Sequence, residues 1–163
     1  MENGYKDNTE NVYLRCRKRA AQYNEALSSR EKAAELLGIS SSSLANYELG
    51  ITKTVPVDMV VMMADLYKAP ELRNVYCKQE CPIGRMLPMA TESKGLESIT
   101  LKILKSLDED EIKAMKKSLI DIAEDGEITE DEQEDFNSIL ERLDQIAKEI
   151  SELRILAEKY RKK

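Results

Sequence analysis

The chain has 163 residues, room for one small domain and an extension, because single domains most often run to about 100–150 residues. It has no His and no Trp and only one Phe, which removes the commonest general base and metal ligand, takes most of the support from enzyme readings, and leaves a helix-favouring core of Leu, Ile, Val, Met and Ala. The net charge of -6 is unevenly placed: residues 1–90 carry 12 Lys+Arg against 11 Asp+Glu, and residues 91–163 carry 13 against 20.

No stretch approaches the roughly 20 apolar residues that span a bilayer, and the opening MENGYKDNTE has no apolar run of the secretory kind. A cytoplasmic protein without a membrane partner is expected, with its three Cys reduced. Residues 1–10 read as a flexible tail. Val12, Cys16, Ala20, Tyr23 and Leu27 recur at helical steps, which predicts an amphipathic first helix with Arg15, Arg17, Lys18 and Arg19 on its outer faces. Ser29 is placed to cap a second helix, with Ala33, Ala34, Leu36 and Leu37 inward and Gly38 ending it in a left-handed conformation.

Ser40 caps a third helix from about Ser41 to Leu49, stopped at Gly50, with Leu44 and Tyr47 facing inward. A fourth begins near Pro56 and carries Val57, Val60, Val61, Ala64 and Tyr67 as its core stripe. Met59, Met62 and Met63 read as core filling rather than as an adaptable surface. Pro70 starts a fifth helix with Leu72, Val75 and Tyr76, which ends around Cys81 and Pro82.

Pro82, Gly84, Pro88 and Gly95 make residues 82–95 a linker. Beyond it, Leu96, Ile99, Ile103 and Leu107 predict one helix. Asp108 or Asp110 restarts another that holds Ile112, Met115, Leu119 and Ile122, and Asp125-Gly126 breaks the pattern. Phe136, Ile139, Leu143, Ile146, Ile150, Leu153, Ala157 and Tyr160 then alternate steps of three and four, the pattern of a coiled-coil seam, with Leu140, Ile155 and Leu156 beside it. Residues 96–163 thus read as an acidic helical arm. Its seam pairs with residues 96–124, or with the same helix of a second subunit, or with both. Dimerisation through residues 96–160 is expected, a protein partner on the arm is the other use, and the arm's acidity keeps it off DNA.

The stretch SREKAAELLGISSSSLANYELG, residues 29–50, resembles the helix-turn-helix of the phage repressor and Cro family, the xenobiotic-response-element type. Small residues at Ala33 or Ala34 let two helices cross closely, Gly38 makes the turn, Ile39 and Leu44 plug the angle, and Tyr47 stands behind the reading face. The resemblance covers residues 11–81 and implies a five-helix lambda-repressor-like DNA-binding domain. It implies base reading by Ser41, Ser42, Ser43 and Asn46. Of these, the Asn46 amide is best suited, since it can pair with adenine N6 and N7. It also implies phosphate contacts from Arg30, the amide end of the second helix, Ser40, Thr52 and Lys53. Arg30 stands where the family often has Gln, and the connection QYNEALSS is longer than usual.

Two other motifs are weighed. Cys77 and Cys81 lie one helical turn apart, within reach of Cys16 if the first and fifth helices pack, but a metal there lacks a fourth ligand. Asp121, Asp125, Gly126, Ile128 and Glu132 fall at positions of a calcium-binding EF-hand loop. Ala123 occupies a ligand position there, and a capping box of Thr129 and Glu132 accounts for the loop without a metal. No cofactor or metal is expected. The sequence therefore predicts an all-α, non-enzymatic transcriptional regulator, a repressor that binds a palindromic operator in double-stranded DNA as a homodimer. The alternative, from another class, is a protein-interaction adaptor or antitoxin-like partner in which the arm is the active part.

Overall fold

The computed structural model describes residues 10–124 and 126–161, and the regular elements among them are all helical. They form two compact units, Met1–Arg85 and Met86–Lys163. No described helix is long and apolar enough to cross a membrane.

The first unit contains α1 (Val12–Ala20), a 3-10 turn (Glu25–Ser28), α2 (Arg30–Leu36), α3 (Ser41–Glu48), α4 (Val57–Leu66) and α5 (Glu71–Gln79). Asn11 caps α1 by accepting from the Tyr13 amide. The expected first helix does not reach Leu27. Asn24 turns extended and its side chain accepts from the Ala26 amide, a local bond that competes with helix continuation. Tyr23 is consequently 77% exposed, while Leu27 enters the core from the 3-10 turn.

The core gathers Tyr13, Cys16, Ala33, Ala34, Leu44 and Tyr67 with their neighbours. On α4 the buried ring of Tyr67 fixes the inward face, which runs back at steps of four through Met63 and Met59, with Val60 and Ala64 beside it. Val57 and Val61, expected in that stripe, are exposed. So are Met62 and, on α2, Leu36, each lying outside the arc that its neighbours bury.

Three helices of this unit end alike. After α2, Gly38 takes φ +68, and the Ile39 amide reaches back to the Ala34 carbonyl at 3.0 Å. After α3, Gly50 takes φ +69, and the Ile51 amide reaches the Asn46 carbonyl at 2.9 Å. Each is a Schellman closure, where the left-handed residue costs a glycine little. After α4 the same closure, Ala69 amide to Ala64 carbonyl at 2.8 Å, is made through Lys68 at φ +50.

The expected linker carries the boundary between the units, yet both its sides are packed. Gly84 sits so close to the Cys77 backbone that a Cβ there would collide with it, and Lys78 Nζ donates to the Arg85 carbonyl at 2.7 Å. Further on, the Ala90 amide donates to Ser151 Oγ and the Lys94 amide to Glu152 Oε1. Pro82 lies in a turn and Gly84 begins a 3-10 turn.

The second unit is α6 (Leu96–Ser106), α7 (Glu109–Ala123) and the 28-residue α8 (Gln133–Tyr160). Asp108 caps α7, accepting from the Asp110 and Glu111 amides. At the start of α8 the amide and hydroxyl of Thr129 both donate to Glu132 Oε2. Both α6 and α7 pack on α8. Arg142 closes the end of α6 by donating to the Lys105 and Ser106 carbonyls, and it pairs with Glu111 of α7. The expected seam is only partly used within the chain. Ile139 is buried, but Ile155 and Leu156 from beside the seam are buried in place of Leu143, Ile150, Leu153 and Tyr160, which are exposed.

Glu152 is the buried polar tie of this unit. Burial alone raises its carboxyl, but Lys102 Nζ at 2.7 Å and the Lys94 amide outweigh burial and hold the pKa below its ordinary value of 4.5. Since the folded value lies below the unfolded one, the stability from this pair is complete above pH 4.5 and is lost as the pH falls through the lowered value. Acid titration of helicity is therefore expected to flatten in Glu152→Gln, which also loses about 1–3 kcal/mol at neutral pH. In the first unit, Lys68→Gly is expected to raise the unfolding free energy by about 0.5–1 kcal/mol in guanidinium melts, and Lys68→Val to lower it, because only the left-handed backbone changes its cost.

Candidate nucleic-acid interface

The helix α3 is short, and its placement rests on one carboxylate. Leu44 and Glu48, one turn apart, form its inward face, and Glu48 is 1% exposed. Its Oε1 accepts from Arg17 Nε at 2.5 Å, and its Oε2 accepts from Arg17 Nη2 at 3.1 Å and Arg30 Nε at 2.9 Å. Arg17, 5% exposed, also donates through Nη1 to the carbonyls of Leu27 and Ser28. The hydrogen bond to Glu48 outweighs burial and raises the Arg17 pKa further, so the guanidinium stays charged. One acid thus ties α1, α2, α3 and the 3-10 turn together.

Two of the cations expected on the outer faces of α1 are therefore engaged elsewhere. Arg17 lies inside, and Arg19 pairs with the buried Glu71 of α5. The exposed cations of α1 are Arg15 and Lys18, and Lys18 lies 2.5 Å from Glu10. A signal for this was present in the sequence: Glu48 follows Leu44 by four residues, so an acid shares the inward face of α3 and needs a buried cation.

The expected reading residues sit together on α3. Ser40 caps the helix, accepting from the Ser43 amide at 3.0 Å, and the two hydroxyls share a hydrogen bond of 2.8 Å. Ser43 is therefore half-buried and part of the cap, while Ser41 and Ser42 are exposed and Asn46 is half-buried one turn along. The carbonyl of Asn46 accepts from the Ile51 and Thr52 amides, which fixes the loop after Gly50 to the same end of the helix.

The expected phosphate residues are divided. Arg30 has Nε committed to Glu48 and its side chain 35% exposed, and Ser40 is occupied by the cap. Thr52 and Lys53 line an open polar groove of about 490 Å³ together with Asn11, Arg15 and Tyr47. Arg15, given no role by sequence, is thus brought beside them. Both acids of this groove are engaged: Glu10 pairs with Lys18, and Glu80 accepts from Tyr13 Oη at 2.7 Å and from the Val55 amide at 2.8 Å. Burial and that carboxylate raise the Tyr13 hydroxyl pKa, so it remains a donor.

The chain matches no protein-family model, no curated protein and no solved structure.

The chemistry available at this face is hydrogen bonding. Two exposed hydroxyls and one carboxamide lie on α3, and the Arg15 and Lys53 cations line the groove that Tyr47 of the same helix enters. Cys16 is buried in the core, Cys77 and Cys81 are half-buried, and none of the three forms a disulfide. Among the described residues no group of three or more Cys, Asp or Glu is placed to hold a metal, and Asp125 of the acidic loop lies outside them. Glu48→Ala is expected to lower stability by about 3–5 kcal/mol, because two guanidinium groups lose their counter-charge. In the same chemical melts, Glu48→Leu combined with Arg17→Met recovers most of that loss.

Proposed function

We propose that the chain is a sequence-specific DNA-binding transcriptional regulator, a cytoplasmic repressor that binds a palindromic operator as a dimer, with no catalytic step. The observation that carries this reading is the polar outer side of α3, where Ser41, Ser42 and Asn46 stand on a short helix held rigidly by Glu48. In this reading α2, the Gly38 turn and α3 are the helix-turn-helix of a phage repressor-like domain, and α3 enters the major groove. Asn46 pairs with adenine, and Ser41 and Ser42 add contacts of low base preference. Ser43 supports the cap, so its share in reading is smaller than that of the other two. Thr52, Lys53 and Arg15 meet phosphates, with Arg30 contributing the part of its guanidinium turned away from Glu48.

A domain of near-neutral charge gains little affinity from phosphate neutralisation at one half-site. Two copies, with recognition helices about 34 Å apart, supply the rest. Asn46→Ala is expected to weaken operator binding by about 1–3 kcal/mol and relax base choice at one position, while Lys53→Ala and Arg15→Ala weaken binding evenly across sequences and lower the salt dependence. Selection from a random duplex pool followed by gel shifts at several salt concentrations measures both effects. Equal losses for Asn46→Ala on selected and random DNA would remove its reading role. No shift at low salt, combined with capture of a protein partner by the arm, would replace the reading with the adaptor one.

A further inference from the structure

The second unit buries little of its apolar surface. Among its described residues Ala90, Ile99, Ile122, Ile139, Ile155 and Leu156 are buried, while Leu101, Leu104, Leu140, Leu143, Ile150 and Leu153 are exposed. A unit of fewer than about 80 residues with so small a core needs a further source of burial.

On α8 an exposed apolar stripe adjoins the side covered within the chain, with the buried Ile139 at their shared edge. Ile139, Glu149, Glu152 and Leu156 belong to the side covered within the chain. Leu140, Leu143, Ala147 and Ile150 follow one another at steps of three, four and three, which makes a second stripe along the helix. Leu143 is 41% and Ile150 45% exposed, and Ala147 is half-buried.

Charge says what covers this stripe. The exposed ionised residues of the first half of α8 are Glu134, Asp135, Glu141 and Asp144. Those of the second half and its cap are Lys148, Arg154, Lys159 and Arg161, opposed only by Glu158, because Glu149 and Glu152 are buried. The exposed surface is therefore negative at one end of a helix about 42 Å long and positive at the other. A parallel pair sets acid on acid and base on base. An antiparallel pair sets opposite charges against each other at both ends, and the same surface serves both partners, as a two-fold axis requires.

We propose that the second unit self-associates by antiparallel packing of α8 on α8 of a second copy, crossing near Ala147, with Leu140, Leu143 and Ile150 as the seam. The small side chain at the crossing lets the helices approach, and Leu140 of one copy lies opposite Arg154 of the other. This names the interface of the dimer invoked above and rests on that reading only for its biological use.

Disulfide trapping in the full-length protein tests it, with linked peptides identified by mass. At an antiparallel crossing, a thiol at 147 meets its own copy. A thiol at 140 lies roughly 20 Å from its copy and close to residue 154 instead. Ala147→Cys is expected to give 147–147′ links, the double variant Leu140→Cys/Arg154→Cys to give 140–154′ links, and Leu140→Cys to give none to itself. A 140–140′ link overturns the pairing, and so does sedimentation of the parent protein as a monomer at micromolar concentration. Leu143→Asp/Ile150→Asp, at sites already exposed in one protomer, is expected to be monomeric with unchanged helicity; a surviving dimer overturns the seam. DNA binding is measured separately on the parent protein. A parallel dimer that shifts DNA sinks this pairing alone, and an antiparallel dimer that shifts none upholds the pairing while ending the operator reading.

Discussion

The carboxylate of Glu48 is the point from which the first unit is arranged. It has no exposure to speak of and receives three guanidinium hydrogen bonds from two arginines. Taking such groups out of water costs several kcal/mol per ion, of order, so the arrangement persists only while every partner is in place. That condition acts on geometry more than on net stability. A helix as short as α3 has little intrinsic stability, and Leu44 alone leaves it free to rotate about one contact. The bidentate grip of Arg17, with Arg30 from the other side, fixes its rotation and hence the side it turns outward.

The second unit is built on the opposite balance. Its ties are polar and spread along one long helix: Glu152 with Lys102 and the Lys94 amide, Arg142 across the end of α6, Ser151 with Ala90. Such bonds set register but add modest free energy each, about 1 kcal/mol for a neutral pair. Apolar burial, which does most of the stabilising elsewhere, is sparse here and left unfinished on the outer stripe. The first unit closes its own core, whereas the second presents a surface whose charges already match a reversed copy of itself.

Much of this was legible in the chain. The caps at Ser29 and Ser40, the left-handed closure at Gly38, the stop at Gly50 and the restart at Asp108, one of two acids offered for it, stand where local chemistry placed them, because each depends on residues within a few positions. What failed did so for tertiary reasons. Tyr23 fits the helical stripe by spacing, yet Asn24 draws the backbone away. Val57 and Val61 fit it equally well, yet the buried Tyr67 ring selects the methionine face. Arg17 reads as a solvated cation because a run of basic residues surrounds it; the spacing of Glu48 from Leu44 calls for a buried cation, but periodicity does not say that Arg17, 31 positions away, supplies it. The long seam was visible as a pattern, but a period of three and four does not say which flank an intrachain neighbour will take.

The two carbonyl contacts of Arg17 matter for how the chain can change. By holding the Leu27 and Ser28 oxygens, the guanidinium pins the entry to α2 from inside the protein, independently of the path taken by the preceding loop. Gln22 and Tyr23, both at the surface, can then be extended or labelled without displacing the helices behind them, while Asn24 keeps its cap on the 3-10 turn. The length of this connection is thus free to change, and Tyr23 marks a place where a fluorophore or an inserted peptide can be carried at small structural cost.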